Sequence, residues 1–297
     1  MDAVREIVVG VDFSASSRIA LAQALRLGGI WKARVHAVHV IDTLVVTELE
    51  EALAPIQREI RAGLVADAKS AWTDFAKGTK GASSLEIEVA VNNRAEAILD
   101  AARKHRADLV VVGAFSDVDP DLGVGTVASG CVRRSVADVL LARDDHDGPY
   151  RRVVVGIDFS ETSRQALGRA VQIAAADRAE LHILHVFAAP WRAVHWRSPN
   201  PATSPGFEKQ YRDGLDGRLR EFAKAELEAA GLKDSKCVLF DHDGHRSGIV
   251  DYGRKVHADL VVLGTRGRSN LRDLLLGSTA EKTLRDCVTS VLAVRPR

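Results

Sequence analysis

The segment Gly264-Thr-Arg-Gly267-Arg-Ser-Asn-Leu-Arg-Asp-Leu-Leu-Leu-Gly277-Ser278-Thr279 combines glycines, arginines and a helix-opening hydroxyl in a pattern suited to an anion. Glycine at 264 and 267 permits positive φ and lets a ligand approach the main chain with no Cβ in the way. Gly277-Ser278 reads as the start of a helix, whose unpaired amides and positive dipole end attract phosphate. Arg266, Arg268 and Arg272 put cations in the same loop, where guanidinium groups can meet phosphate oxygens. A structural reading stands beside this one. The glycines could simply make turns, and Ser278-Thr-Ala-Glu281 has the form of a capping box in which Ser278 caps the last helix. The two coexist, because a capped helix keeps other free amides in its first turn.

Such a loop needs a sheet behind it, and the chain supplies two. Val8-Val-Gly-Val-Asp12-Phe-Ser14 recurs as Val154-Val-Gly-Ile-Asp158-Phe-Ser160, and His36-Ala-Val-His39-Val40 as His182-Ile-Leu-His185-Val186. Ala107-Asp-Leu-Val-Val-Val-Gly113 matches Ala258-Asp-Leu-Val-Val-Leu-Gly264, and Asp138-Val-Leu-Leu-Ala-Arg143 answers Ser290-Val-Leu-Ala-Val-Arg295. Four blocks in the same order indicate duplicated domains, with a period too long for a solenoid. The expected division is a first domain over 1–143, a linker over 144–150 containing Gly148-Pro149, and a second domain over 151–297. Within the first half, strands are expected at Ile7–Val11, Val35–Ile41, Leu85–Val91, Leu109–Val112 and Val139–Ala142. Helices are expected at Ser16–Leu27, through Leu49, Leu53, Ile56, Ile60 and Leu64, at Arg94–Lys104 and at Val127–Ser135. Strands apolar on both faces and separated by helices point to parallel sheets covered on both sides. The fold class is therefore α/β: two doubly wound, mainly parallel, five-stranded Rossmann-like domains.

Bulk composition narrows the function classes. The chain has 297 residues, 46% hydrophobic and 27% charged, with 40 acidic against 41 basic side chains. Net charge therefore gives no sign of a nucleic-acid surface. Met1-Asp-Ala-Val-Arg-Glu leads straight into a strand pattern with no apolar leader, and no run approaches the ~18 apolar residues of a membrane span. Cys131, Cys237 and Cys287 are odd in number and widely spaced, so free thiols and a cytoplasmic location are expected. Pro190, Pro199, Pro201 and Pro205, with Trp191 and Trp196, read as a long loop after the second strand of the second half. It could serve as a lid, a surface excursion or a dimer contact.

The spacing GxxG, nine residues, then G-S resembles the nucleotide signature of ATP-binding universal stress proteins. The Gly-x-Asp-Phe-Ser openings, the His-Val ends of the second strands and Glu281-Lys-Thr-Leu-Arg resemble that family too. The resemblance covers both halves and implies a tandem protein of two adenine-nucleotide-binding-type domains related by a pseudo-twofold axis. It implies that Asp158 meets the nucleoside end of the ligand and that the main chain of Val186 pairs with the adenine edge. Gly264, Gly267, Gly277, Ser278 and Thr279 would surround ribose and phosphates, with Arg266 and Arg268 beside them. The cofactor expected is ATP, or AMP or ADP, with magnesium accompanying a triphosphate. Family members pair through their last strands, so pairing within one chain and a homodimer of tandem chains are expected, together with a protein partner of unknown identity.

The first half departs from the pattern. Its loop, Gly113-Ala-Phe-Ser116-Asp-Val-Asp-Pro-Asp-Leu-Gly-Val-Gly125-Thr126, has serine for the second glycine and a spacer of eight residues instead of nine. Asp117, Asp119 and Asp121 stand where the other half has arginines, and desolvated like-charge contacts with a triphosphate cost several kcal/mol, roughly. Weak or absent nucleotide binding is expected there, although Asp12 and Val40 remain.

Other motifs carry less. His242-Asp-Gly-His245 fits the HxGH pattern of nucleotidyl-transfer enzymes but follows the third strand rather than the first, so a polar loop is the expected reading. His36 and His39, like His182 and His185, are three apart on strands and point to opposite faces, a poor geometry for one metal. His242 and His245 remain possible partners for such a site. No GxSxG elbow and no Walker A lysine is present. With no catalytic set and no metal site expected, the chain reads as a stress-response binder and regulator or interaction module. A slow ATPase or a nucleotidyl transferase is the alternative.

Overall fold

Runs of valine, isoleucine and leucine with no polar face become central strands, because only a sheet with helices on both sides buries every one of them. A computed structural model describes residues 3–53, 59–114, 125–143, 146–189, 206–267 and 277–296. The chain divides into two units, Asp2–Gly148 and Pro149–Arg297.

The first unit runs β1 (Glu6–Val11), α1 (Ala15–Trp31), β2 (Arg34–Asp42), α2 (Thr43–Leu53), α3 (Ile60–Lys77), β3 (Ile87–Asn92), α4 (Arg94–His105), β4 (Leu109–Gly113), α5 (Thr126–Arg134) and β5 (Asp138–Ala142). Its strands lie in the order β3-β2-β1-β4-β5, all parallel. Ile7, Val8, Val9, Val110, Val111, Val139 and Leu141 are completely buried in the centre. One long helix was expected through Leu49 and Leu64, yet two helices form. α2 is described as far as Leu53, and α3 starts afresh at Ile60 after Glu59, which is not helical at φ −73°, ψ 73°. Residues 54–58 lie outside the described residues.

The second unit repeats the plan: β6 (Arg152–Gly156), α6 (Glu161–Asp177), β7 (Glu180–Phe187), α7 (Phe207–Ala230), β8 (Lys236–Asp241), α8 (His245–Lys255), β9 (Leu260–Gly264), α9 (Ser278–Asp286) and β10 (Ser290–Val294). The order is β10-β9-β6-β7-β8, again parallel, which makes both units the doubly wound α/β domains expected. The proline-rich loop lies in 190–205, outside the described residues. No helix among the described residues is long and apolar enough to cross a membrane. Cys131, Cys237 and Cys287 are free thiols. Burial pushes the Cys131 thiol up to about 12, which leaves it protonated and unreactive.

One local device occurs in both units and fixes the first strand against the helix after it. Asp158 Oδ1 accepts from the Ser160 amide at 3.0 Å and from its hydroxyl at 2.5 Å, and Ser160 Oγ then caps α6 by accepting from the Ser163 amide at 3.1 Å. Asp12, Ser14 and Ser17 repeat this with 3.1, 2.5 and 3.1 Å. The residue between is left-handed, Phe13 at φ 65° and Phe159 at φ 64°, an uncommon conformation for an aromatic residue. Ring contacts hold it there. Phe159 packs on His185 at 4.6 Å and edge-on to Phe222 at 5.6 Å; Phe13 packs on His39 at 4.5 Å and edge-on to Phe75 at 5.5 Å. Arg164 and Arg18 then cover the outer rings, at 4.1 Å from Phe222 and 4.0 Å from Phe75.

Candidate functional site

In the second unit the chain leaves β6 for β7 on one side and reaches β9 on the other, so a crevice opens between β6 and β9 at their carboxyl ends. A cavity of about 360 Å³ occupies that crevice. The end of β6 and the turn after it supply Gly156, Ile157 and Asp158, and β7 supplies Leu184, His185 and Val186. The β9 end supplies Leu263 to Gly267, and the start of α9 supplies Gly277, Thr279 and Ala280. Ser163 of α6, with His245 and Ile249 of α8, closes the remaining sides.

Seven of the nine residues expected from the sequence therefore meet in one place: Asp158, Val186, Gly264, Arg266, Gly267, Gly277 and Thr279. Ser278 opens α9, with its side chain outside the described set. Arg268 lies outside the described residues, as does Arg272.

The glycines do their work differently from the expectation. Neither Gly264 nor Gly267 is among the positive-φ residues. Their reason is close approach. A Cβ on Gly264 would stand 2.9 Å from Thr162 Cγ2 and 3.1 Å from its carbonyl carbon, against the first turn of α6. On Gly267 it would stand 2.8 Å from Asp158 Oδ2, so this glycine leaves the carboxylate open to the cavity. That oxygen accepts no hydrogen bond among the described residues, since both bonds to Asp158 go to Oδ1.

The capping-box reading is also corrected. The N-cap of α9 is Gly277 at φ −69°, ψ 146°, with Ser278 as the first helical residue and no side-chain cap. A Cβ at 277 would come 3.0 Å from Thr265 O, because Gly277 N donates to that carbonyl at 2.7 Å and pinches the loop closed at its base. Thr265 is fully buried and anchored in turn, its amide and hydroxyl both donating to Val294 O at 2.9 and 3.1 Å. The first turn of α9 thus reaches the cavity with no serine at its N-cap. Arg266 reaches it with Nε buried and with no hydrogen-bond partner among the described residues.

Sequence reasoning missed His245. Read as part of a polar loop, it is instead the first residue of α8, and its Nδ1 lies 2.9 Å from Val186 O, the main chain expected to face a base. No local signal marked it, because its counterpart in the repeat, Arg94, is a different residue, although both line their own cavities. His242 does not join His245. Its Nδ1 accepts from the Gly244 amide at 3.1 Å and its Nε2 lies 3.1 Å from Asp251 Oδ2.

The first unit has a corresponding cavity of about 330 Å³, lined by Asp12 and Ser14, Val38 and Val40, Gly113, and Gly125 to Ala128. Gly125 N closes its loop onto Ala114 O at 3.0 Å. Arg94, at the rim, pairs with Asp42 at 3.4 Å. Residues 115–124, including Asp117, Asp119 and Asp121, lie outside the described residues.

Two parallel α/β units, each with a crevice at its switch point and an Asp-Phe-Ser turn beneath it, define a duplicated, doubly wound α/β protein. The universal stress protein family model matches residues 3–143 and again 149–295, so the chain belongs to that family, in tandem form. It is 26% identical to universal stress protein Rv2623 of Mycobacterium tuberculosis over 97% of this chain and 96% of that one. The Bacillus subtilis universal stress protein YxiE is 28% identical, over 49% of this chain and 99% of its own. A universal stress protein structure from Archaeoglobus fulgidus shares the fold, with a TM-score of 0.64 at 17% identity, covering 98% of each chain.

Proposed function

We propose that the second domain binds an adenine nucleotide, ATP in the first instance, and that occupancy makes the chain a nucleotide-dependent regulator or interaction module. The observation that carries this is the meeting, in one crevice, of an open carboxylate oxygen on Asp158 and a buried Arg266 Nε that has no partner among the described residues. The first turn of a helix, with its free amides, completes the set. Asp158 suits ribose hydroxyls, while Arg266 and the amides of α9 suit phosphate oxygens. The apolar walls of Ile157, Leu184, Val186 and Ile249 suit a flat base, and a cavity of about 360 Å³ falls within the range of small-molecule sites. Magnesium would shield a bound triphosphate, held mainly by the phosphates themselves.

Calorimetric titration of the full-length protein with ATP and Mg²⁺ tests the reading. Saturable binding that Gly267→Ala weakens at least about tenfold is expected, since the new methyl falls on Asp158 Oδ2. No binding at millimolar nucleotide would end it. Turnover is expected to be slow at most, because His245 bonds to the main chain beside the apolar walls. Phosphate release abolished by His245→Ala while ATP binding persists would favour the enzymatic alternative instead. A homodimer of tandem chains and a protein partner complete the proposal, with mass measured in solution with and without ATP.

A further inference from the structure

A second group of chemistry-bearing side chains lies in the first domain, at the amino ends of its strands and so at the opposite end of that sheet from its cavity. Glu6 begins β1, His36 stands near the start of β2, Glu88 near the start of β3, and His105 is the last residue of α4. The two imidazoles stack at 3.7 Å between centroids, 18° from parallel. His36 Nε2 lies 2.8 Å from Glu6 Oε2, and His105 Nε2 lies 2.5 Å from Glu88 Oε1. Ligand atoms of His36, Glu88 and His105 all fall within 4.8 Å of one another, and each side chain is half-buried. Among the described residues this is the one such cluster.

We propose that His36, Glu88 and His105, with Glu6 beside His36, form a binding site for a divalent first-row transition-metal ion, with zinc as the ion their donors suit. Imidazole nitrogens and carboxylate oxygens without a thiolate fit Zn²⁺, with bonds of about 2.0–2.2 Å in a tetrahedral set. Ligand atoms in such a set lie roughly 3.4 Å apart, and the ion draws the two rings out of their stack so that both in-plane lone pairs aim at it. The carbonyl end of α4 adds negative potential beside His105.

The fold does not itself require these four residues, as the repeat shows. At the matching positions the second domain has Arg152, His182, Val238 and Val256. There Glu180 is held by Arg152 at 2.7 Å and by Lys236, and His182 Nδ1 lies 2.7 Å from the Tyr252 hydroxyl. An ion-pair and tyrosine network closes that end of the second sheet. The donor set is peculiar to the first.

The test uses the full-length chain stripped of metal and titrated with Co²⁺ and then Zn²⁺. One equivalent of Co²⁺ should give the intense visible bands of a four-coordinate ion, Zn²⁺ should displace it, and Tm should rise with Zn²⁺. His36→Gln and His105→Gln should each weaken Zn²⁺ by at least about tenfold, whereas His242→Gln should not. Glu88→Gln keeps the side-chain shape and should also weaken it, which guards against a histidine variant that fails to fold. Absence of saturable Zn²⁺ binding, or full binding retained by either His105→Gln or Glu88→Gln, overturns the proposal.

Discussion

At Gly264, Gly267 and Gly253 the same added methyl has three different consequences, decided by tenths of an ångström. At 264 it meets the backbone of Thr162 at 3.1 Å, so α6 must move; a loss of about 1–3 kcal/mol is expected for Gly264→Ala in urea denaturation, with ATP binding lost as well. At 267, an exposed loop position, the conflict is with one carboxylate oxygen of the half-buried Asp158, so binding falls while stability holds. At 253, inside α8, the nearest atom is Val261 Cγ2 at 3.6 Å, an ordinary contact. Helix propensity then decides, and Gly253→Ala should stabilise by up to about 1 kcal/mol. Titration at two other residues sets the acid side of stability. His39 sits below its usual 6.5 because burial disfavours the charged ring, more than its bond to Val11 favours it. The unfolded chain therefore takes this proton first, and stability present above pH 6.5 declines as pH falls below it. Glu180, held down to about 2 by Lys236, Arg152 and His182, adds a second loss between its usual 4.5 and 2. Urea midpoints measured from neutral pH downward should fall in both windows, and His39→Gln should flatten the first alone.

Among the elements, the Asp-Phe-Ser turn links sequence to site most directly. Ser14 caps α1 and Ser160 caps α6 by the same bond, so Ser14→Ala should cost about 1 kcal/mol, read as a lower Tm. Ser160→Ala should cost about as much and also loosen Asp158, whose Oδ1 loses the serine hydroxyl. Nucleotide affinity is expected to drop only in the second variant. The elements themselves were largely legible in the sequence, because strands buried on both faces write unbroken apolar runs, and α4 came within a residue of its expected end. The start of α9 was not. Ser278-Thr-Ala-Glu281 satisfies the local rule for a cap, but Gly277 takes the N-cap because Thr265 O lies where any side chain at 277 would go. That contact depends on β9 and β10 pairing, which no local window contains. His245 was hidden for the same reason. Its place follows from β7 and β8 lying side by side, which delivers α8 to the Val186 carbonyl.

At the scale of the whole chain, duplication has left two crevices of similar size, about 360 and 330 Å³, with different chemistry around them. Volume therefore cannot decide how many nucleotides bind; charge can. The second loop carries Arg266, Arg268 and Arg272, and the first carries Asp117, Asp119 and Asp121. The one arginine lining the first cavity, Arg94, already pairs with Asp42. A triphosphate there competes with Asp42 for Arg94 and meets a loop sequence with three aspartates in place of arginines, and desolvated like-charge contacts cost several kcal/mol, roughly. A penalty of that size weakens binding by about two orders of magnitude or more. Titration of the intact chain should therefore saturate near one ATP, and Gly267→Ala should remove that equivalent and leave none of comparable strength. Were the first crevice a working site, the variant would keep one equivalent at the parent's affinity, and that result would separate a two-site protein from the one-site protein expected here.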